Sequence, residues 1–558
     1  MSAKEIRWSI SRRVLLRLAE CRVHPITLKS HRRDAARLSS PKSGATRVLG
    51  CIVSVAAVSI LGCATTSPSS AAASPPGGKR PNVVVVFDDQ LRADVCGIYG
   101  GRNITTPSID RLAREGVTFD NAISTCPLCT PFRGMLQTGR YPTHTGLVIN
   151  WVEVNPRLRG VADVFRDAGY RTGFIGKWHL AAGLRKQAGK HEATQQDTER
   201  IAKAQAAYLK ENPEPEYVPP GPARLGYEHW QAYNFHANFQ KAFYYEDAPK
   251  RLIMPGYETD SEIDMAIAFM RRQQESGKPF FLMVAPHPPH PPLKPAACPS
   301  GYLERVRQDL IWSPNVPADD RHRQDPLPTR CYYAMAKNVD DNLGRLLDFL
   351  DRSGLAGNTI VVFTADHGEM LGSHGRQHKM VPYREAVNIP CIVRWPGHIP
   401  AGRRLDVLQT PMDHFPTLCG LAGLQAPSTC DGLDLSGVLL SGKSVDRDAV
   451  LMMNYVSHWD YFDSGTRWPE WRAVRTQRYT YVKWLDGKEE LYDNRDDPYQ
   501  MTNLAGSSEI LPTIEKLRAR LAELLAGAHD EFLPGTAYAD WYDDERNLVK
   551  TALGLVGP

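Results

Sequence analysis

Two hydrophobic periods run along this chain, and the switches between them mark its elements. Pro81–Phe87 holds four consecutive valines, Val83 to Val86, and runs directly into Asp88-Asp89. An unbroken apolar run of this length reads as a strand buried on both faces. Phe280–Val284 and Asn358–Thr364 repeat the pattern, the latter leading into Asp366, and Thr172–Ile175 is a shorter strand. Helices fall between the strands. Pro107–Gly116 has proline early and glycine past its end. Arg159–Ala168 is a second helix. Ser261–Gln274 sets Ile263, Ala266, Ile267 and Met270 at helical spacing, and Tyr332–Leu350 is long and amphipathic. This alternation predicts an α/β fold, a large mixed, mostly parallel sheet sandwiched by helices. Functional residues in such sheets gather beyond the strands' carboxyl ends. Asp88, Asp89, Asp366 and His367 stand there.

Near Ser436 the pattern changes. Ala473–Trp484 alternates as a strand does, Glu490-Leu491-Tyr492-Asp493 follows a glycine-containing turn, and Leu511–Leu525 is a helix. These predict a smaller C-terminal antiparallel sheet plus helix. The chain therefore divides into a targeting segment, 1–80, a main domain, 81–435, and a small α+β subdomain, 436–558. Residues 183–256 are a long insertion, rich first in Lys, Gln and Glu and then in aromatics. The aromatic part, Tyr227–Tyr245, suits either core packing or stacking on sugar rings.

Charge changes the picture at the N-terminus. The net charge of +5 over 558 residues hides two halves of opposite sign. The first 80 residues carry 14 Lys/Arg against 3 Asp/Glu; the remainder carries 53 against 59. The folded part is mildly acidic, with no basic stripe for nucleic acid. Arg47 precedes an apolar run, Val48–Leu61, that ends Leu61-Gly62-Cys63. The run has the length of a signal-peptide core and is short for a bilayer-spanning helix. It resembles a bacterial lipoprotein signal with Cys63 as the lipid-modified residue, although Leu61 is bulky for that position. The Ala, Ser, Pro and Gly after Cys63 read as a flexible tether. The expectation is an exported, periplasmic or outer-membrane-tethered protein, bound to membrane only through that lipid.

The eleven cysteines are too irregularly spaced for a disulfide scaffold, although Cys419 and Cys430 could pair. Cys129 opens the run Cys129-Thr130-Pro131-Phe132-Arg133, followed by Leu136 and Thr138-Gly139. Read alone, it is a cysteine in a proline-containing turn or a redox pair with Cys126. Asp88-Asp89 and Asp366-His367 add three carboxylates and an imidazole at strand ends. Adjacent carboxylates repel and call for a cation, and oxygen-rich ligands suit a hard divalent one.

The C-x-P-x-R pattern of Cys129, Pro131 and Arg133 resembles the signature of the formylglycine-dependent sulfatases, type I sulfatases of the alkaline phosphatase superfamily. The likeness continues in chain order through Gly176-Lys177-Trp178-His179-Leu180, the block His287-Pro288-Pro289-His290-Pro291-Pro292, Thr364-Ala365-Asp366-His367-Gly368-Glu369, and Lys379 with Tyr383-Arg384-Glu385-Ala386. It extends to Leu491-Tyr492-Asp493, Asp497-Pro498 and Asn503-Leu504, covering about residues 81 to 505. Phe132 departs from the family's usual Ser or Ala.

The resemblance implies an alkaline-phosphatase-like fold and hydrolysis of a sulfate ester. It implies that a formylglycine-generating enzyme converts Cys129 to an aldehyde, whose hydrate attacks sulfur through one hydroxyl and later expels sulfate through the other. One calcium ion would be held by Asp88, Asp89, Asp366, His367 and the modified Cys129; His367 stands where many members have Asn. Arg133, Lys177 and Lys379 would bind sulfate oxygens, and His179 would act as base when sulfate leaves. A histidine of the proline-rich block would protonate the leaving alcohol; His290 fits the P-H-x-P spacing, and His287 also has proline two residues on. The expected substrate is a sulfated carbohydrate. Two other functions are open: a phosphonate or phosphate ester hydrolase on the same fold, and a noncatalytic surface protein that binds sulfated glycans.

Overall fold

The valine run lies at the centre of the sheet. The computed structural model describes residues 78–187, 195–323, 325–462 and 468–557. The leader, its apolar run and Cys63 fall outside the described residues. The strands are β1 Asn82–Asp88, β2 Val117–Ala122, β3 Arg171–Lys177, β4 His229–Tyr233, a short hairpin of β5 Phe243–Tyr244 and β6 Leu252–Ile253, then β7 Phe280–Ala285, β8 Thr359–Ala365, β9 Cys391–Arg394 and β10 Arg403–Gln409. Eight of them form one sheet in the order β10-β2-β9-β8-β1-β7-β3-β4. Every pairing is parallel except the two made by β9. All residues of β1, β7 and β8 are buried. A strand covered on both faces has no polar side to alternate with, which is why these three read as continuous apolar runs.

Register brings the chemistry together. β1 pairs with β8 from Asn82↔Thr359 to Asp88↔Ala365. Beyond that ladder the Asp366 N–H donates to the Asp88 carbonyl at 3.0 Å, and the Asp89 N–H donates to Pro286 at 3.1 Å. The carboxyl ends of β8, β1, β7 and β3, neighbours in the sheet, thus open on one place. Gly176, in β3, has φ +101, and a Cβ there would lie 2.4 Å from the Ala285 carbonyl oxygen. Only glycine lets β3 close on β7 at that point and deliver Lys177 at its end.

The second sheet is antiparallel: β11 Ala449–Asn454, β12 Trp471–Thr476, β13 Tyr479–Trp484 and β14 Glu489–Asp493, with the helix Leu511–Gly527. It belongs to one compact unit with the main sheet, Ser70–Pro558. The Met453 N–H donates to Thr125 at 2.7 Å, and the Trp471 indole N–H to Met380 at 3.0 Å. The alternation over 473–484 is a hairpin, not one strand. Its turn, Gln477-Arg478, contains no glycine, asparagine or proline; Thr476 closes it by accepting the Tyr479 N–H at 2.8 Å. A two-residue turn preserves the alternation, so the pattern did not register the reversal.

The insertion supplies β4, the edge strand. Tyr227, Trp230, Tyr233 and Tyr245 are buried, so this part of the aromatic segment is core. All described cysteines are free thiols, including Cys126, Cys129, Cys419 and Cys430. Arg472 of β12 and Asp530 are both fully buried and paired, Nη2 to Oδ1 at 3.0 Å. Asp530→Ala would leave a buried guanidinium without its counter-charge. We expect a loss of about 3–5 kcal/mol in denaturant unfolding, and a smaller loss for Asp530→Asn.

Candidate active site

The helix Cys129–Thr138 begins at the cysteine itself, with Leu128 extended before it. Cys129 therefore sits at a helix N-terminus, where backbone N–H groups and the helix dipole favour negative charge. Its Sγ is buried, 3.3 Å from His367 Nε2, 3.7 Å from Lys379 Nζ, 3.8 Å from Asp89 Oδ1 and 3.9 Å from Lys177 Nζ. Burial and Asp89 push the thiol up, yet Lys177, Lys379 and His367 outweigh them and its pKa is lowered. One helical turn on, Arg133 Nη2 reaches Asp89 Oδ2 at 3.0 Å and Asp366 Oδ2 at 3.3 Å.

Lys177 pairs with Asp89 and also donates to His287 Nε2 at 3.2 Å. Burial opposes the Asp89 charge, but Lys177, His290 and Arg133 hold its carboxyl well below the usual range. Lys379 donates to Gln90 Oε1 at 2.6 Å, and the Gln90 backbone N–H donates to Asp366 Oδ1 at 2.9 Å. Burial opposes the Lys379 charge too; Cys129, Asp89 and Asp366 raise its pKa, so it remains a cation.

Ligand atoms of Asp89, Cys129, Asp366 and His367 all lie within 4.8 Å of one another. His367 Nδ1 lies 3.1 Å from the Gly368 carbonyl oxygen. An N–H there leaves the Nε2 lone pair facing the carboxylates, the arrangement of a metal-ligating imidazole. Asp88 is outside that foursome. Both of its carboxylate oxygens are buried without a hydrogen-bond partner, and burial, then Asp366 and Asp89, push its pKa well up. An orphaned buried carboxylate beside two others fits a cation whose ligands are mainly oxygen, and calcium is such an ion. Gly368 matters to this geometry: a Cβ there would meet the Glu385 carbonyl oxygen at 1.9 Å.

His179, on the loop after β3, has φ +53 and hydrogen-bonds through neither ring nitrogen. Burial, then Lys177 and Arg133, hold it well below the usual imidazole range. His287 and His290 stand 4.7 Å apart, ring centre to ring centre. His287 is fully buried, its Nε2 occupied by Lys177. His290 is half-buried, its Nδ1 2.8 Å from the Pro291 carbonyl oxygen. Both are held well below the usual range by burial first, and then by Lys177 for His287 and Lys379 for His290.

A cavity of about 290 Å³ is lined by Cys129, His179, His290 and Lys379, and also by Gln90, Asn150, Trp151, Arg185, Phe235, Trp459 and Asp460. His287 is absent from that lining. The second set carried no motif. Gln90 directly follows the paired aspartates, a position the strand end itself marks; Trp151, Arg185 and Asp460 lie in segments with no repeating pattern and are joined only by folding. Phe235 is the part of the aromatic insertion that reaches the cavity, with Lys177 Nζ 4.8 Å from its ring centre.

The sulfatase family profile matches residues 81–424, and that of the N-sulphoglucosamine sulphohydrolase C-terminal region matches residues 372–527. The ulvan-active sulfatase of Formosa agariphila is 32% identical over 476 residues, covering 83% of this chain and 84% of its own. The chain belongs to the sulfatase family. It is a sulfuric ester hydrolase with the alkaline-phosphatase-like fold. The solved structure of the yidJ sulfatase homologue of Bacteroides fragilis superposes on this sulfatase with a TM-score of 0.69 at 30% identity, covering 82% of this chain and 98% of that one. The phosphonate monoester hydrolase of Agrobacterium radiobacter superposes with a TM-score of 0.58 at 21% identity, covering 86% and 100%. That likeness is one of fold. Among the described residues of this sulfatase, no helix is long and apolar enough to cross a membrane.

Proposed function

We propose that this sulfatase removes sulfate from a carbohydrate, with Cys129 matured to formylglycine and one calcium ion held by Asp88, Asp89, Asp366, His367 and residue 129. One observation carries the reading: Cys129 Sγ lies between a cluster of metal-type ligands and two buried ammonium groups, at 3.3–3.9 Å. The aldehyde hydrate supplies a hydroxyl nucleophile at that position, and calcium supplies charge that orients it and offsets the three carboxylates. Lys177, Lys379 and Arg133 neutralise the nonbridging oxygens of the ester, charge that must be in place before the S–O bond breaks. His179, neutral and free at both nitrogens, accepts the proton when sulfate is released. The carbohydrate assignment is supported by the relative named as ulvan-active. Export and tethering through Cys63 follow from Arg47 and the apolar run after it.

The general acid is His290. It lines the cavity, whereas His287 lies behind it with Nε2 engaged by Lys177. His290→Ala should slow esters of poor leaving groups by about 10²–10⁴-fold and activated aryl sulfates much less, since a good leaving group departs without a proton. His287→Ala should slow both classes alike, through loss of Lys177 positioning. The opposite result, with His287→Ala selective for poor leaving groups, exchanges the roles.

The pH profile carries the same signature. A general acid works protonated, and the His290 pKa lies below the usual 6.5. For unactivated esters kcat/KM should therefore fall as pH rises through a value on the acid side of 6.5. That limb should be missing for activated aryl sulfates and in His290→Ala.

The test of the whole reading is an assay of protein made with a formylglycine-generating enzyme, on sulfated sugars and on phosphate and phosphonate monoesters side by side. Turnover of the phosphorus esters with none of the sulfates would replace it with the phosphonate hydrolase reading. Binding of sulfated glycan without turnover would replace it with the noncatalytic one.

A further inference from the structure

The cavity contains a carboxylate that the hydrolytic machinery does not use. Asp460 is 5% exposed and lines the cavity with Cys129 and His290. Its Oδ2 pairs with Arg185 Nη2 at 3.0 Å, while Oδ1 is buried with no hydrogen-bond partner. Its backbone is anchored on both sides: its N–H donates to His458 Nδ1 at 3.0 Å, and its carbonyl accepts from Arg546. Arg185 also lines the cavity and packs its guanidinium 5.7 Å from the centre of the Trp151 ring. Trp151 lies 4.5 Å from His179, ring centre to ring centre, with backbone φ +62.

A carboxylate is out of place in a cavity built for an anionic ester unless it has a task. It repels the sulfate, and the Arg185 ion pair offsets that repulsion. What it keeps is an acceptor, Oδ1, without a donor from the protein, and a buried acceptor calls for one. Hydroxyl groups supply such donors. The ring surfaces of Trp151, Phe235 and Trp459 along the same cavity suit the C–H face of a sugar ring. A sugar carboxylate would instead meet Asp460 as a like charge.

We propose that Arg185 and Asp460 form a recognition pair for a sulfated neutral pyranose, with Asp460 accepting a hydroxyl of the sugar that bears the sulfate and Arg185 holding and screening that carboxylate. The proposal rests on the sulfatase reading and adds the class of sugar. It makes Asp460 and Arg185 specificity residues, apart from the hydrolytic groups.

The test uses matured full-length protein, wild type, Asp460→Ala, Asp460→Asn and Arg185→Ala. The substrates are 4-nitrophenyl sulfate, which has no sugar, the monosulfates of galactose, N-acetylgalactosamine, N-acetylglucosamine and rhamnose, and glucuronate 2-sulfate. The best neutral sugar for wild type is the reference. The ratio of kcat/KM on that sugar to kcat/KM on the aryl sulfate should fall about 10- to 100-fold in Asp460→Ala, the effect of losing a hydrogen bond to a charged group. The deoxy analogue lacking the bonded hydroxyl should show the same loss with wild type and no further loss with Asp460→Ala. Asp460→Asn, which keeps the shape, should narrow the discrimination against glucuronate 2-sulfate. An unchanged ratio in both Asp460 variants would overturn the proposal. So would wild-type turnover of aryl sulfate with none of the neutral sugars, or a preference for glucuronate 2-sulfate. Failure of wild type on every sulfate, aryl sulfate included, would instead remove the sulfatase reading itself.

Discussion

Cys129→Ala should abolish turnover of every sulfate ester, by at least about 10⁴-fold, because alanine has no thiol for maturation to oxidise, so the aldehyde whose hydrate is the proposed nucleophile cannot form. The same loss should follow when wild-type Cys129 stays a thiol, produced in cells without a formylglycine-generating enzyme. The thiol is buried, ringed by Lys177, Lys379 and His367, and its pKa is lowered. It is thus a better thiolate than most, yet a thiolate has one nucleophilic atom and no geminal hydroxyl to expel sulfate in the second half of the reaction. Mass spectrometry of the peptide containing Cys129 measures the aldehyde fraction. Activity should scale with that fraction across preparations. Turnover that persists in a sample with no aldehyde, or in Cys129→Ala, excludes the mechanism. Phe132 does not bear on the chemistry: it is fully buried in the core within the helix Cys129–Thr138, away from the cavity lining.

Chelation should produce the second-largest effect, a loss of turnover of at least about 10³-fold that added calcium restores. Without calcium, Asp88, Asp89 and Asp366 would stand close together and buried, with Arg133 and Lys177 compensating Asp89 and Asp366 but not Asp88. The sign for stability follows from Asp88. Its folded pKa is raised well above 3.8. Its contribution to the stability of calcium-free protein is therefore full below about pH 4 and is lost as pH rises through the raised value. Asp88→Asn removes the burden. In chelator, Tm should be higher in Asp88→Asn than in wild type at neutral pH; in calcium, the order should reverse, because the variant loses the metal's contribution. Thermal melts of the two proteins with and without calcium decide it. Full activity after exhaustive chelation, or equal calcium response in Asp88→Asn, would refute the metal assignment.

Much of this was legible before folding, and for identifiable reasons. Valine runs at Val83–Val86 and Val361–Val362 announce strands buried on both faces, because such strands have no polar side to display. Their ends carry Asp88-Asp89 and Asp366-His367, and parallel strands in a sheet bring their carboxyl ends to one edge whatever the loops do. The long helices, including 258–276 and 327–352, were visible through their periodicity. Short elements were not. The antiparallel β9, four residues long, has no pattern to distinguish it from any apolar tetrapeptide. The β12–β13 hairpin kept its alternation through a turn without turn residues.

The sequence by itself named the candidate reacting groups, since Cys129, Arg133, Lys177, His179, Lys379 and the carboxylates sit in local blocks that resemble the sulfatases' motifs. Tertiary structure decided what surrounds them. It set His290 in the cavity and His287 behind it, with Lys177 on its Nε2, a difference of three residues that proline spacing does not resolve. It buried Tyr227, Trp230, Tyr233 and Tyr245 in the core and left Phe235 at the cavity. It joined Trp151 and Arg185 with Asp460, which lies 275 positions beyond Arg185, into one lining. Contacts of that kind depend on how loops from separate elements close over a strand end, and no periodicity along a chain encodes a distance across it.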